Sequence, residues 1–555
     1  MKQIIIILLL IFNSGAILSQ DLGNIKNQKP FVFSGSIRAG TSFYTAQNRY
    51  KYRTPFSYII SGSPTISIYG IRIPFRFSFR DNKFDFSKPY NRFSLNPRYK
   101  WIKLHLGHCS MRISPYSLAG HTFWGAGVDL TPKKFRFSAM YGNLENIQFQ
   151  TDTVIVGDEL LKPYKRKAYA IKLGFGSSSS YFDLNVFRAE DDPGSVKNYP
   201  GYKPARNTIL GISTRLDLLW KISFSGNIAA SFITGDINAQ KLESLINISN
   251  KLLSKIISIT GSNLSSRANL AGDAELSMKL KRFSLGLQYK RIDPLYNSLG
   301  AYYFYNDFEN YTLRSSINLL KSRIRLKGSY GVQRNNLSNL RSISNLRTIG
   351  SANIFLRLGK YFNITGAYSN YQTQQRDGFL VIADTLRLAQ INERFSISPG
   401  VIFGDKKIKH SVRLSGTYQK FNYVNNPYGN NSNNIKGLYL NYNFKHKDSK
   451  TNLKFGANYN ETSYNDRDNV RYGITLGAKK DFFDKKLNLR LSTTWNKNIS
   501  NAQSDGNIIS LRLNSNYKLN KKQRMTFNLS WVNKNTIIQK SYSELRGRLS
   551  YSLSF

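Results

Sequence analysis

The sequence predicts an all-β protein: a single closed antiparallel transmembrane β-barrel of about 26 strands, within a range of 22 to 26. Three observations predict it. Many segments of about ten residues alternate apolar and polar side chains, short basic turns alternate with long polar loops, and the last alternating segment ends on a phenylalanine. Alternation with a period of two gives a strand one apolar and one polar face. A membrane barrel uses both, with lipid outside and water inside.

The final strand, residues 542–555, shows the alternation most clearly. One face carries Leu545, Gly547, Leu549, Tyr551, Leu553 and Phe555, and the other carries Glu544, Arg546, Arg548, Ser550, Ser552 and Ser554. This run resembles the closing strand of bacterial outer-membrane barrels, in which a terminal Phe is read by the insertion machinery. The resemblance implies that Tyr551, Leu553 and Phe555 form an insertion signal and that the barrel-assembly machinery is a partner.

The amino terminus predicts export. One lysine precedes an apolar run of about nine residues and a small-residue boundary, so residues 1–19 are expected to be a signal peptide cleaved after Ser19. The run is too short for a transmembrane helix. Because no cysteine lies near the boundary, a lipid anchor is not expected. Residues 20–30 are expected to form a short periplasmic tail, and 31–555 the barrel. A transporter with an amino-terminal plug domain is therefore not expected.

The charge is strongly positive, with 80 Lys and Arg against 32 Asp and Glu and a formal net charge of +48. In a cytosolic protein this would suggest nucleic acid, which export argues against. The expected counter-charges are outer-membrane lipid headgroups, lipopolysaccharide phosphates and acidic solutes. Aromatic residues, at 14%, fit girdles at the membrane interfaces. A single cysteine, Cys109, excludes an intramolecular disulfide.

The turns and loops predict the orientation, since such barrels have short periplasmic turns and long outer loops. The strands near 91–95 and between 208 and 234 are the least clearly patterned. The longest loop, 235–267, contains apolar residues at helical spacing, so a helix is expected there, capped by Asp236 or Asn238. That helix could constrict the lumen, cover it, bind a partner, or rest on the barrel rim.

Alternation also predicts which basic side chains face the lumen. They are Arg72, Arg76, Arg80, Lys103, Arg136, Arg325, Lys327, Lys454, Arg490, Arg512, Arg546 and Arg548. Charges are tolerated in a wet lumen and costly on the lipid face. The hypothesis is an anion-attracting conduit; the alternative is that these charges pair with acidic residues or with a plug.

Other motifs carry weaker hypotheses. The aromatic run 301–308 could stack on sugars or anchor a partner, or simply belong to an interface girdle. His105, His108, Cys109 and His121 suggest a metal site, but His105 and His108 point to opposite faces of a strand. The acidic run 190–194 could bind calcium and is more simply an acidic turn. No enzyme motif is visible, so neither catalysis nor a cofactor is expected.

The segment 104–123, which reads LHLGHCSMRISPYSLAGHTF, is similar to a segment of large outer-membrane β-barrel proteins of Bacteroidota. That resemblance implies no known activity. Its Ser114-Pro115-Tyr116 and Ala119-Gly120 elements indicate an ordered outer loop able to pack into the barrel mouth.

Two functions are compatible with these patterns. The first is a basic-lined outer-membrane conduit for passage or export of a solute or polymer, with anions favoured. The second is a non-transport scaffold in an outer-membrane secretion or surface-assembly complex, with protein partners and a lumen blocked by loops. The sequence identifies neither cargo nor partner.

Overall fold

The computed structural model describes residues 29–49, 53–80, 92–144, 154–156, 159–161, 164–196, 202–218, 221–242, 250–301, 305–377, 389–424, 432–464, 467–537 and 540–555. The predicted signal peptide lies outside these residues. The strands, in chain order, are β1 (Phe31–Ser34), β2 (Ser36–Gln47), β3 (Phe56–Gly62), β4 (Thr65–Ile68), β5 (Ile71–Arg80), β6 (Arg92–Leu95), β7 (Arg98–Tyr99), β8 (Ile102–Arg112), β9 (Ala119–Leu130), β10 (Phe135–Leu144), β11 (Val154–Val156), β12 (Glu159–Leu161), β13 (Arg166–Gly176), β14 (Tyr181–Asp191), β15 (Arg206–Asp217), β16 (Ile222–Thr234), β17 (Ser266–Lys279), β18 (Phe283–Ile292), β19 (Phe308–Leu319), β20 (Ile324–Asn335), β21 (Ile343–Leu358), β22 (Phe362–Asp377), β23 (Ala389–Gly404), β24 (Ile408–Val424), β25 (Ser432–His446), β26 (Thr451–Tyr464), β27 (Arg467–Phe482), β28 (Leu487–Ser500), β29 (Gln503–Lys518), β30 (Gln523–Thr536) and β31 (Tyr542–Ser554). One α-helix, α1 (Lys251–Thr260), interrupts them within the described residues.

The strands close into one antiparallel barrel. Except for the separate β11–β12 hairpin, each strand pairs with its neighbours in sequence, and β31 returns to β2 in a register that runs from Ser36 opposite Ser554 to Gln47 opposite Ser543. Because β1–β2, β3–β4 and β6–β7 are each one strand with a short interruption, the wall has 26 strands. The predicted fold class is confirmed. Closure pairs the backbone groups of every strand, which lipid cannot do.

The outer face of the wall is apolar. Phe182, Leu184, Ile212 and Ile228 are between 41% and 63% exposed and share one face through the pairing of β14, β15 and β16. Large exposed apolar side chains in such a band are typical of contact with lipid. In the described part of the chain, no helix has the length and apolar character needed to cross a membrane.

The two ends of the barrel differ as predicted. Turns such as 177–180 and 405–407 close one end, which is therefore periplasmic, and the segments that hold β11–β12 and α1 extend from the other. The long loop is 235–265 rather than 235–267, because Arg267 already pairs with Ile233 in the ladder of β16 and β17.

The described residues fill the interior on one side of the barrel. The buried core joins inward-facing residues of β8–β19 to two loops, and includes Phe123, Phe187, Ile209 and Tyr296. After Asn336, the buried residues in the described part of the chain are four glycines and Thr536. We call β8–β19 the packed half of the wall and β20–β31 the open half.

Candidate functional site

The pairing register places the basic residues singled out by alternation on the inner face, the face that carries the buried core. On the open half these are Arg325, Lys327, Lys454, Arg490, Arg512, Arg546 and Arg548. On the strands before it they are Arg72, Arg76, Arg80, Lys103 and Arg136. Their inward orientation follows from the two-residue period of side chains along a strand.

Several inward-facing cations lie directly opposite one another. On the open half, Lys409 faces Lys445, Lys479 faces Arg490, and Lys518 faces Arg524. Like charges directly opposite on one face of a sheet normally destabilise it, by up to about 1 kcal/mol. These pairs concentrate positive potential on the open half.

A second row of cations lies near the periplasmic end of the neighbouring wall. Arg72 is opposite Arg98, which is opposite Lys103. The row ends on the next strand, where Asp129 lies opposite Lys103. Positive charge therefore continues beyond the open half toward the packed half.

Acidic residues do not balance the inner face of the open half. By register, Asp377, Asp481 and Glu544 face inward on this half. Of the two whose side chains the structure describes, Asp481 lies 4.0 Å from Lys479 and Glu544 is bound by Arg49 at 2.6 Å. Other acids of these strands pair outside the lumen, as Glu461 does with Lys436 at 2.7 Å. The interior is thus electropositive through placement as well as composition.

An inner layer covers the outer part of the packed half. It consists of residues 114–118 and 294–300, both folded inward, and Tyr116, Leu118 and Tyr296 are at most 2% exposed. Tyr116 Oη donates a hydrogen bond of 2.6 Å to Asp273 of β17. Tyr296 Oη donates to the carbonyl oxygen of Tyr116 at 2.7 Å. Two tyrosines thus tie the two loops to each other and to the wall.

Polar contacts hold the second loop against the packed half. Ser298 Oγ donates to the carbonyl of Ser117 at 2.6 Å, and the backbone N–H of Leu299 donates to Asn207 Oδ1 at 3.1 Å. Glycine is needed at position 300, since an added Cβ would lie 2.7 Å from the Phe187 ring. Close approach and satisfied hydrogen bonds make this layer a fixed part of the wall.

The packed half pairs two of its inward cations with carboxylates. Arg136, one of the predicted lumen cations, binds Asp183 through two hydrogen bonds of 2.7 and 3.0 Å. Arg166 binds Asp191 in the same way, at 2.7 and 3.2 Å. Bidentate pairs of this kind are strong and fix geometry. Arg136 is therefore paired with an acidic residue, as the alternative hypothesis expects, and differs in this from the cations of the open half.

Helix α1 lies against the outside of the wall at its carboxyl-terminal end. The carbonyl oxygens of Ile259, Thr260 and Gly261 accept hydrogen bonds from Arg188, Thr208 and Arg206, at 3.1, 3.3 and 3.3 Å. These donors occupy outward positions of β14 and β15. Cations at a helix carboxyl terminus are favourable. This end of α1 therefore rests on the rim and does not enter the lumen.

The described helix covers the second part of the apolar pattern. Its first residue is Lys251, well after Asp236 and Asn238, so neither residue caps it. Asp236 instead accepts the N–H of Asn238 in a local turn. Residues 245 and 246 of the apolar pattern lie outside the described residues.

The histidines do not converge. Within the described residues no cluster of three or more His, Cys, Asp or Glu side chains could hold a metal ion. His105 bonds Asp129 at 2.8 Å inside the barrel, and His108 packs against Trp124 on the lipid face, with ring centroids 4.6 Å apart. Ser138 donates to Asp129 and not to His105. The arrangement therefore lacks the nucleophile-to-base hydrogen bond of a catalytic triad.

The acidic run 190–194 forms a turn held by basic residues. Glu190 is bound by Arg206 at 2.7 Å, and Asp192 by Lys167 at 3.2 Å. The ion pair with Lys167, aided by the N–H of Gly194, lowers the pKa of Asp192. Its carboxylates are thus already engaged, which agrees with the acidic-turn interpretation.

The aromatic run 301–308 is described in part, because 302–304 lie outside the described residues. Tyr305 is 40% exposed, pairs with Phe308 at a centroid distance of 5.0 Å and accepts a hydrogen bond from Arg347 at 2.9 Å. Phe308 is buried at the edge of the core. These rings pack on the wall.

The search for relatives gives a fold and no family. No protein-family model matches the chain, and no curated protein matches it. The P pilus usher (PapC) translocation pore is 10% identical, with 94% of this chain and 100% of that chain covered and a TM-score of 0.38. Acinetobacter baumannii OccAB2 is 11% identical over 70% of this chain and 98% of that chain, with a TM-score of 0.32. Pseudomonas aeruginosa OccK1 (OpdK) is 10% identical over 70% of this chain and 99% of that chain, with a TM-score of 0.31. Such likeness concerns the barrel fold alone.

Proposed function

We propose that this barrel sits in the outer membrane of a Gram-negative bacterium and conducts anionic solutes or polymers through the open half of its lumen. The observation that carries the proposal is the set of like-charged pairs that face one another across β24–β25, β27–β28 and β29–β30. Cationic walls raise the local concentration of anions and select for them.

The distribution of acids supports conduction rather than structural pairing. Where the fold uses a cation structurally it supplies a carboxylate, as for Arg136 with Asp183 and Arg166 with Asp191. Lys409, Lys445 and Arg490 form no salt bridge among the described residues, although their strands are ordered. Mobile anions in the lumen are the natural counter-charge.

A charge-neutralisation experiment tests this proposal. The triple variant K409Q/K445Q/R490Q removes cations from the open half, and the matched control K360Q/K406Q/K485Q removes as many from periplasmic turns. We expect the reversal potential of the first variant, measured in planar bilayers under a KCl gradient, to move toward cation selectivity. The control should stay close to the wild-type value. Equal shifts in both variants would show that the inner face has no special role.

The inner layer favours a second candidate, a scaffold whose lumen is blocked by loops. Residues 114–118 and 294–300 cover the packed half and are hydrogen-bonded to each other and to its wall. Under this candidate the wild-type barrel is electrically silent, and loosening the layer with Y116A/S298A opens it. A wild-type barrel that conducts steadily excludes this candidate.

A further inference from the structure

We infer that the wall at the barrel seam carries a binding site for phosphate-rich polyanions at the periplasmic end of the lumen. This inference rests on the proposed conduit for its biological setting and names the class of anion. The site is a cavity of about 760 Å³ between β29–β31 and β2–β5. Cavities of that size suit ligands of several linked groups.

Six cations line this cavity. They are Arg38, Arg76, Lys518, Lys521, Lys522 and Arg524. Three of them lie in one row across the seam, where Lys518 faces Arg524, Arg524 faces Ser552, and Ser552 faces Arg38. With strands about 4.8 Å apart, Arg38 and Arg524 start roughly 10 Å from each other on either side of a serine.

No acidic residue lines the cavity, and none of the six cations forms a salt bridge in the described part of the chain. The remaining lining is rich in hydroxyl donors, including Ser36, Ser61, Ser552 and Ser554. Guanidinium groups bind phosphate oxygens in pairs, and hydroxyls can donate to the oxygens left over. A ligand with several negative charges is needed to satisfy six cations at once.

The turn that supplies two of these cations is preformed. Asn520 Oδ1 accepts the backbone N–H groups of Lys522 and Gln523, at 2.8 and 2.7 Å. This turn conformation fixes the directions in which the side chains of Lys521 and Lys522 leave the backbone. Ordering before binding lowers the entropy that the ligand must overcome.

A cavity elsewhere on the wall shows how an acidic residue changes such a lining. The cavity over β15–β21 contains Arg215, Lys279, Arg314 and Lys327 but also Glu275, which lies 3.8 Å from Arg314. An internal carboxylate competes with an incoming anion for the same guanidinium. The seam cavity has no such competitor.

Calorimetric titration of the detergent-purified barrel with sodium tripolyphosphate tests the site. We expect binding that weakens with added salt, because the cations are exposed to water. The variant R38Q/R76Q/R524Q should bind about 30-fold more weakly or worse. The control K327Q/R413Q/R512Q, which removes three inward cations that do not line the cavity, should bind within about threefold of wild type.

The variant R38K/R76K/R524K keeps the charge but loses bidentate geometry, and it should fall between wild type and the glutamine variant. Heat-modifiable migration on gels verifies that each variant is folded. Absence of binding to wild type, or an equal loss in the seam and control variants, overturns the inference. Calorimetry needs no ion flow, so a silent barrel that binds tripolyphosphate would refute the conduit and leave the site standing.

Discussion

The Phe555 ring stacks on the Phe33 ring, with centroids 4.4 Å apart and an interplanar angle of 15°. Beside this contact, Gly35 and Phe555 exchange backbone hydrogen bonds of 2.9 and 3.1 Å. The last residue of the chain thus pairs with the break between β1 and β2 and completes the seam. Both rings lie at outward positions, beside the periplasmic membrane interface.

The terminal phenylalanine is expected to serve both closure and insertion. Phe555→Ala removes the stacking and the proposed insertion signal, whereas Phe33→Ala removes the stacking alone, at a cost of about 0.5–1.5 kcal/mol. We expect the fraction of heat-modifiable barrel in cell membranes to drop sharply for the first variant and slightly for the second. Equal drops would mean that Phe555 acts through the stack alone.

The Tyr116–Asp273 hydrogen bond is expected to hold the inner layer in place. Tyr116→Phe removes the donor and leaves the Asp273 carboxylate with Asn227, at a cost of about 1–3 kcal/mol in the free energy of unfolding. Unfolding of the detergent-solubilised barrel in guanidinium chloride measures this loss in the free energy of unfolding. Tyr305→Phe, which changes a tyrosine hydroxyl outside the layer, is the control and should cost less than half as much.

Alkaline pH is expected to loosen the inner layer. Burial, together with the hydrogen bond to Asp273 and its charge, raises the pKa of Tyr116, and burial raises the pKa of Tyr296. The unfolded tyrosine ionises near pH 10. Above about pH 10 the unfolded chain therefore binds fewer protons than the folded one, and stability falls as pH rises. Fluctuations of the bilayer current should increase there in wild type, and less in Y116F. A pH-independent current would contradict this.

The docking of α1 is expected to depend on Arg206. Arg206→Ala removes the hydrogen bond to Gly261 and one partner of Glu190. Trypsin cleavage at Lys251 and Lys255 should accelerate about tenfold, corresponding to about 1.4 kcal/mol of local stability. Lys203→Ala, which removes a looser pair with Asp236 at 3.7 Å, should change the rate little. Comparable acceleration in both variants would show that Arg206 has no specific role.

Alternation together with the rhythm of short turns and long loops was enough to predict the barrel and its orientation. Alternation alone predicted the inward face of residues such as Arg325 and Arg548, because a period of two needs no knowledge of neighbouring strands. The same signal could have found Arg38 and Arg524, which share the polar faces of β2 and β30. The facing pairs could not be predicted. Lys409 meets Lys445 only through the register of β24 against β25, which the alternation along one strand does not specify.

The inner layer is a further case. Its loop 114–118 had a visible signal in Ser114, Pro115 and Tyr116, whereas its partner 294–300 had little. The contact between Tyr296 and Tyr116 joins residues 180 positions apart in the chain. Such contacts depend on tertiary closure, which local patterns do not encode.

The reversal potential of the purified wild-type barrel in planar bilayers under a KCl gradient tests the central claim most directly. The electropositive open half predicts a steady conductance. It also predicts a reversal potential whose sign shows that chloride crosses more readily than potassium. A cation-selective conductance, or a barrel that inserts and stays silent, would contradict it.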